Sequence, residues 1–145
     1  MRAIVQRVRA GRVSIDGEEV ASIGRGFVIL AAAAPDDTNE QAKWLGAKCA
    51  HLRLFEDDQG KMNRSLLDIA GEALVVSQFT LYADASKGRR PSFIGAAPPE
   101  VAEPLIETLV ETLRQEGVPA KMGIFGAHML VEIDNDGPVT IFLEK

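Results

Sequence analysis

Val5-Gln6-Arg7-Val8-Arg9-Ala10-Gly11-Arg12-Val13-Ser14-Ile15-Asp16-Gly17-Glu18-Glu19-Val20 holds two short runs of period two, Val5 to Arg9 and Arg12 to Ile15, followed by Asp-Gly. A two-residue repeat sends alternate side chains to opposite faces of a strand. Asp-Gly supplies the positive-φ backbone that a tight hairpin needs. The chain is therefore predicted to open as antiparallel sheet. Phe27 to Ala34 is an unbroken apolar run of strand length that ends at Pro35-Asp36-Asp37. It reads as a central strand covered on both faces, its alanines admitting close approach of another element. Thr38 can cap a helix whose apolar positions Ala42, Leu45, Ala47 and Cys49 run toward His51. A short strand over Leu52 to Phe55 then meets the turn Asp57-Asp58-Gln59-Gly60.

Leu74 to Leu81 reads as a second apolar strand, ending in the polar-interrupted Ser77-Gln78-Phe79-Thr80-Leu81. From Pro99 to Glu116, Val101, Leu105, Ile106, Leu109, Val110 and Leu113 form one apolar helical stripe, and Gly117 is placed to stop the helix. Pro104 lies deeper than the first turn, so the pattern predicts a late start or a bend. Val118 to Met122, Met129 to Asp134 and Val139 to Leu143 complete the strands. No repeat or linker divides the chain. The prediction is one α+β domain over residues 1–145, a mainly antiparallel, barrel-like sheet with two or three helices packed on it.

A chain of 145 residues can bury about 70% of its extended surface, enough for its own core. With 46% hydrophobic and 26% charged residues and no apolar run near the ~20 residues that span a bilayer, no membrane span is expected. The start Met1-Arg2-Ala3-Ile4-Val5 enters a strand pattern directly, which predicts a cytoplasmic protein. The one cysteine, Cys49, with only His51 and His128, gives no recognisable zinc site, and no metal is expected. Cys49 and His51 stand two apart on a helix and point to different faces, so a packed thiol is favoured over a nucleophile and base pair. A net charge of −5 argues against coating long nucleic acid. Charge is uneven: Arg2, Arg7, Arg9 and Arg12 form one acid-free cluster, and Lys87, Arg89 and Arg90 another. Such patches suit a short phosphate contact, such as the end of an RNA, better than a long duplex, but a solvated charged face is by itself the stronger reading.

Local pattern and chemistry conflict most at Asn135-Asp136-Gly137-Pro138-Val139-Thr140, where proline interrupts a strand. A cis Gly-Pro bond there would turn two carbonyls to one side, a pair able to hold an ammonium group and to test the substituents on its carbon. On the hexapeptide alone, an ordinary Asx-Gly turn with trans proline is the stronger reading. Ser77-Gln78-Phe79-Thr80 offers hydroxyls, an amide, an aromatic wall and exposed backbone N–H groups, a set suited to an ester or amide carbonyl. Thr80 as nucleophile lacks a base near it in sequence, and simple strand hydrogen bonding stays open for it. Lys87-Gly88-Arg89-Arg90-Pro91-Ser92-Phe93 is a basic loop, either a phosphate or ribose contact or a solubilising segment. Met122 to Met129, with Phe125 between glycines, can line an apolar pocket or simply pack.

Together these pieces resemble the D-aminoacyl-tRNA deacylases. The resemblance rests on Gln6-Arg7-Val8, Met62-Asn63-Arg64-Ser65-Leu66, Ser77-Gln78-Phe79-Thr80-Leu81, Arg90-Pro91-Ser92-Phe93, Gly123-Ile124-Phe125-Gly126-Ala127 and Asn135-Asp136-Gly137-Pro138-Val139-Thr140, in the family's order across nearly the whole chain. It implies a homodimer in which a cis Gly137-Pro138 turn reaches into the partner's pocket, its carbonyls holding the substrate's amino group and excluding L side chains. It implies a pocket floor of Ser77, Gln78, Phe79 and Thr80, with the amides near Phe79 and Thr80 facing the ester carbonyl. Arg7 would brace the turn, and Met129 and Phe125 would line the pocket. Lys87, Arg89 and Arg90 are candidate tRNA contacts. In this family the 2′-hydroxyl of the terminal adenosine is thought to assist hydrolysis, which suits a site without a side-chain base.

The chain departs from the family at Ala31-Ala32-Ala33-Ala34 and at His128, where an acid is common, and neither departure is expected to touch the site, although His128 can alter its edge. The reading is a metal- and cofactor-free enzyme that hydrolyses the ester between a D-amino acid, or glycine, and the 3′ end of tRNA in the cytoplasm, with no DNA or membrane partner. Two alternatives stay open: a non-catalytic dimer that binds RNA ends or another protein, and a hydrolase of small esters that uses Thr80 as nucleophile.

Overall fold

The computed structural model describes residues 1–145. In chain order it holds strands β1 (Arg2–Ile15), β2 (Glu18–Ile23) and β3 (Gly26–Ala32), helix α1 (Asn39–His51), strands β4 (Phe55–Glu56), β5 (Met62–Arg64) and β6 (Glu72–Ser77), a 3₁₀ turn (Phe79–Tyr82), helix α2 (Pro99–Gln115), and strands β7 (Ala120–Met122) and β8 (Leu130–Glu144). The hairpin at Asp16-Gly17 forms as the sequence predicts, both residues at positive φ. β1 carries β8 along one edge and β3 then β2 along the other, all antiparallel. The sheet runs β2-β1-β3-β6-β7 with β8 added to β1, while β4 and β5 make a separate ribbon.

The α+β expectation holds, with a mixed sheet: β3 with β6 and β6 with β7 pair in parallel. Each parallel pair needs a long crossover, and the first contains α1 while the second contains α2. Lys121 Nζ on β7 donates to the Ser22 carbonyl of β2 at 2.6 Å, so the sheet nearly closes on itself. Its inside holds a small core that includes Val8, Val13, Val28 and Leu74, and its outside packs a larger core against both helices.

α1 begins where the sequence places it. Thr38 Oγ1 accepts from Glu40 N–H at 3.3 Å, and Gln41 returns a bond to the Thr38 amide at 3.0 Å, the reciprocal arrangement that satisfies early orphan amides. α1 crosses α2 at Gly46, where a Cβ would lie 2.7 Å from Thr112 Cβ and 2.8 Å from the Leu109 carbonyl. α2 does not start late: it runs from Pro99 straight through Pro104. Pro99 occupies the first helical position, which has no amide partner to lose. Gly117, at φ +97°, ends the helix, with Gly117 and Val118 amides donating back to Arg114 and Leu113 carbonyls. No helix of the chain is long and apolar enough to cross a membrane.

Candidate active site

β6 stops four residues short of the strand read from the sequence. Its last rung is the Gln78 amide on the Ala31 carbonyl at 2.8 Å; beyond that, the Ala33 carbonyl accepts from Ala97 instead, also at 2.8 Å. With its neighbour diverted, β6 has no ladder to continue, and the chain rolls into the 3₁₀ turn at Phe79–Tyr82. The first closing bond runs from Leu81 N–H to the Gln78 carbonyl. The amides of Phe79 and Thr80 precede it and therefore have no partner within the turn. The Gln78 side-chain amide donates to the Thr80 hydroxyl.

Arg2 holds the far end of this turn. Its Nη1 donates to the Leu81 carbonyl at 3.1 Å, its guanidinium lies 4.3 Å from the Tyr82 ring centroid, and its Nε pairs with Glu144 at 2.7 Å. The sequence places Arg2 in a basic cluster whose simplest reading is a solvated charged face. Only the register of β1 on β8, with Arg2 opposite Glu144, reveals the clamp.

An apolar cavity of about 510 Å³ opens beside the turn, with Ser77, Gln78 and Phe79 on one side and Phe125 and Met129 on the other. Ala31, Ala32, Ala33 and His128 also line it. This corrects the expectation that the alanines lie away from the site: Ala31, Ala32 and Ala33 are buried and form part of the cavity's wall. His128 also stands nearer the Ser77–Thr80 segment than its place in the sequence implied. The Thr80 hydroxyl is nevertheless held by Gln78 and not by an imidazole. His51 is elsewhere, at the end of α1, 2.7 Å from Glu116. Cys49 is buried, and desolvation pushes its thiol pKa up to about 12, so it stays a protonated packing group.

The two terminal strands expected over 129–134 and 139–143 are one bulged strand. Val8 pairs with Asn135 and Gln6 with Thr140, so Asp136 to Val139 stand opposite Arg7 alone. The Gly137-Pro138 bond within this bulge is cis, with Gly137 at φ +135°. Arg7 is 7% exposed; its Nε donates to the Asp136 carbonyl at 2.9 Å and its Nη1 to the Leu54 carbonyl at 2.7 Å. Asn135 closes the bulge from the other side: Oδ1 accepts from Val139 N–H at 2.9 Å and Nδ2 donates to Thr140 Oγ1 at 3.0 Å. Gly137 and Pro138 are exposed and, like Thr80, do not line their own chain's cavity. One chain thus brings Ser77, Gln78, Phe79, Phe125 and Met129 together and leaves the Gly-Pro turn apart from them.

The two basic clusters differ in space. Arg2 pairs with Glu144, Arg9 with Asp136 and Arg12 with Glu19 and Glu132, so three of the first cluster's arginines are neutralised, while Arg7 meets only carbonyls. Lys87, Arg89 and Arg90 are exposed and enter no ion pair. Their loop is tied at its base by Asp84 and Ser92, which exchange two backbone bonds of 2.8 Å. Bonds from the Ser86 side chain and amide hold the Asp84 carboxyl pKa below the usual range.

Residues 4–144 match the family model described as D-Tyr-tRNA(Tyr) deacylase. The chain belongs to that deacylase family. A D-aminoacyl-tRNA deacylase of Thermomicrobium roseum is 60% identical, covering all of this chain and 94% of the relative. One of Heliobacterium modesticaldum is 56% identical, covering 99% and 96%. A solved structure described as a c-Myc DNA unwinding element binding protein superposes with a TM-score of 0.93 at 43% identity, covering 100% of this chain and 99% of that one. A probable eukaryotic D-amino acid tRNA deacylase shares the fold at a TM-score of 0.82 and 18% identity, covering 98% and 97%.

Proposed function

We propose that the chain hydrolyses the ester joining a D-amino acid, or glycine, to the 3′ end of tRNA; its closely similar relatives are named D-aminoacyl-tRNA deacylases. The observation that carries this reading is the end of β6, where two amides without a partner in their turn sit beside an apolar cavity. As water attacks an ester, negative charge gathers on the carbonyl oxygen. Preorganised amide donors such as those of Phe79 and Thr80 lower that barrier by about 3 kcal/mol each. The terminal ribose 2′-hydroxyl assists the attack, in keeping with a Thr80 hydroxyl that no imidazole holds.

The functional unit in this reading is a homodimer. The Gly137-Pro138 turn is exposed and apart from its own cavity, and Leu130, Ile124 and Phe142 are large apolar side chains 65%, 53% and 55% exposed, as expected of a surface awaiting a partner. The turn of one copy enters the cavity of the other, where its carbonyls grip the amino group and leave no volume for an L side chain. Arg7 braces the turn, and Phe125 and Met129 wall the cavity. Charged tRNA in the cytoplasm is the partner. A net charge of −5 with one small unpaired basic loop favours a short RNA end over a long duplex.

Rates of deacylation on the same tRNA charged with a D- or an L-amino acid test the reading. Loss of the D ester at least a hundredfold faster is the expected result, and equal rates refute it. Thr80→Ala should slow the reaction about tenfold. Complete loss with substrate still bound, or a trapped acyl adduct on Thr80, would make it the nucleophile instead. Binding of charged tRNA with no ester loss would leave an RNA-end binder.

A further inference from the structure

Phe79 has two neighbourhoods. It lines the cavity, and its ring also meets Phe93 edge to face with centroids 5.1 Å apart. This aromatic pair begins where the cavity ends. Phe79 is 57% exposed, Phe93 38% and the adjacent Ile94 90%, an apolar surface that water covers at a cost. The tie between Asp84 and Ser92 sets Phe93 at the foot of the Lys87–Arg90 loop, and the Ala96 amide closes a turn on the Phe93 carbonyl at 3.0 Å. Gly95 lies over Tyr82, where a Cβ would be 3.7 Å from Cδ1. The loop and the 3₁₀ turn thus form one surface. Between Asp84 and Glu100 the sequence has Lys87, Arg89 and Arg90 and no acid, and none of these cations is neutralised in space, unlike Arg2, Arg9 and Arg12 of β1.

Exposed aromatic faces beside unpaired cations fit one kind of occupant best, an unpaired nucleic acid strand, whose bases stack while its phosphates meet the cations. We propose that Phe79, Phe93 and Ile94, backed by Lys87, Arg89 and Arg90, form a stacking platform for the unpaired nucleotides that precede the terminal one. The inference rests on the reading of the cavity as the seat of the tRNA end, and adds a subsite outside it. Chirality is then tested inside the cavity, and much of the RNA affinity is generated on the platform.

The test has a binding arm and a catalytic arm. In the first, the wild-type protein is titrated with a single-stranded RNA tetramer and with the same tetramer made abasic at its two middle positions. The platform requires the abasic probe to bind at least tenfold more weakly. Phe93→Ala should lose about tenfold on the intact tetramer, with Phe93→Tyr restoring it, and the triple Lys87/Arg89/Arg90→Ala variant should flatten the salt dependence. In the second arm, Phe93→Ala should raise KM for D-charged tRNA about tenfold relative to KM for the D-aminoacyl ester of adenosine alone, with kcat on tRNA kept. Equal binding of the two tetramers overturns the platform. So does a Phe93→Ala variant that changes sedimentation and loses both substrates alike, which would assign this face to a second copy. Base-dependent binding without any ester hydrolysis would leave the platform standing and sink the deacylase reading instead.

Discussion

Arg7 is a buried cation with no acid facing it. Its charge is met by two carbonyls, Asp136 and Leu54, so it ties the Gly-Pro bulge to the segment before β4. Hydrogen bonds to a charged group contribute about 1.5–3 kcal/mol, and the acceptors left behind are costly. Arg7→Met should lower stability by about 3 kcal/mol in urea titrations. It should also slow single-turnover deacylation roughly a hundredfold, because a turn displaced by an ångström loses its alignment. Its place opposite the bulge was legible only through resemblance, since nothing in Gln6-Arg7-Val8 says which carbonyls lie across the strand. His128 shares the cavity's lining with the alanines of β3, a proximity that sequence distance hides. His128→Asn should change the rate less than threefold. A loss of a hundredfold or more would make the imidazole a general base and displace the 2′-hydroxyl from that role.

Among the elements, the hairpin, the α1 cap and the stripe of α2 were readable because each rests on local chemistry: a turn residue, a capping side chain, a helical period. The end of β6 was not. Its polar residues marked a break in the core, yet the cause lies in β3, whose Ala33 carbonyl turns to Ala97, a contact no local pattern encodes. The parallel pairing of β3, β6 and β7 was missed likewise, since apolar runs do not state direction. α1 carries a clean probe of its own packing. Burial raises the Cys49 thiol pKa to about 12. Below the ordinary thiol value both folded and unfolded chains keep the proton, and the contribution to stability is full. As pH rises from there toward 12 the unfolded chain ionises first, and stability falls. Alkylation of Cys49 at pH 8 should therefore follow global unfolding, slowing in step with stabilising additives. Rapid labelling of the native protein would show that α1 opens on its own.

At the scale of the whole molecule, the nearly closed sheet gives β1 two edges to fill, and β8 fills one with a bulge that faces outward. The same chain holds an open cavity and a Gly-Pro turn that does not line it. In the proposed homodimer each copy lends its turn to the other's cavity, and chiral selection then depends on association. The central claim is tested most directly by mixing two inactive variants. A Gly137→Val chain loses its turn, because the residue sits at φ +135° with Val139 Cγ2 2.7 Å from any Cβ. A Phe79→Pro chain keeps its turn and loses one amide donor and the 3₁₀ geometry. Unfolded, exchanged and refolded together, they form mixed dimers with one site spoiled twice and one intact. D-specific deacylation should return to about a quarter of the wild-type rate, the share expected if half the dimers are mixed and each has one working site. No recovery, from a mixture shown by sedimentation to contain mixed dimers, would contradict the account.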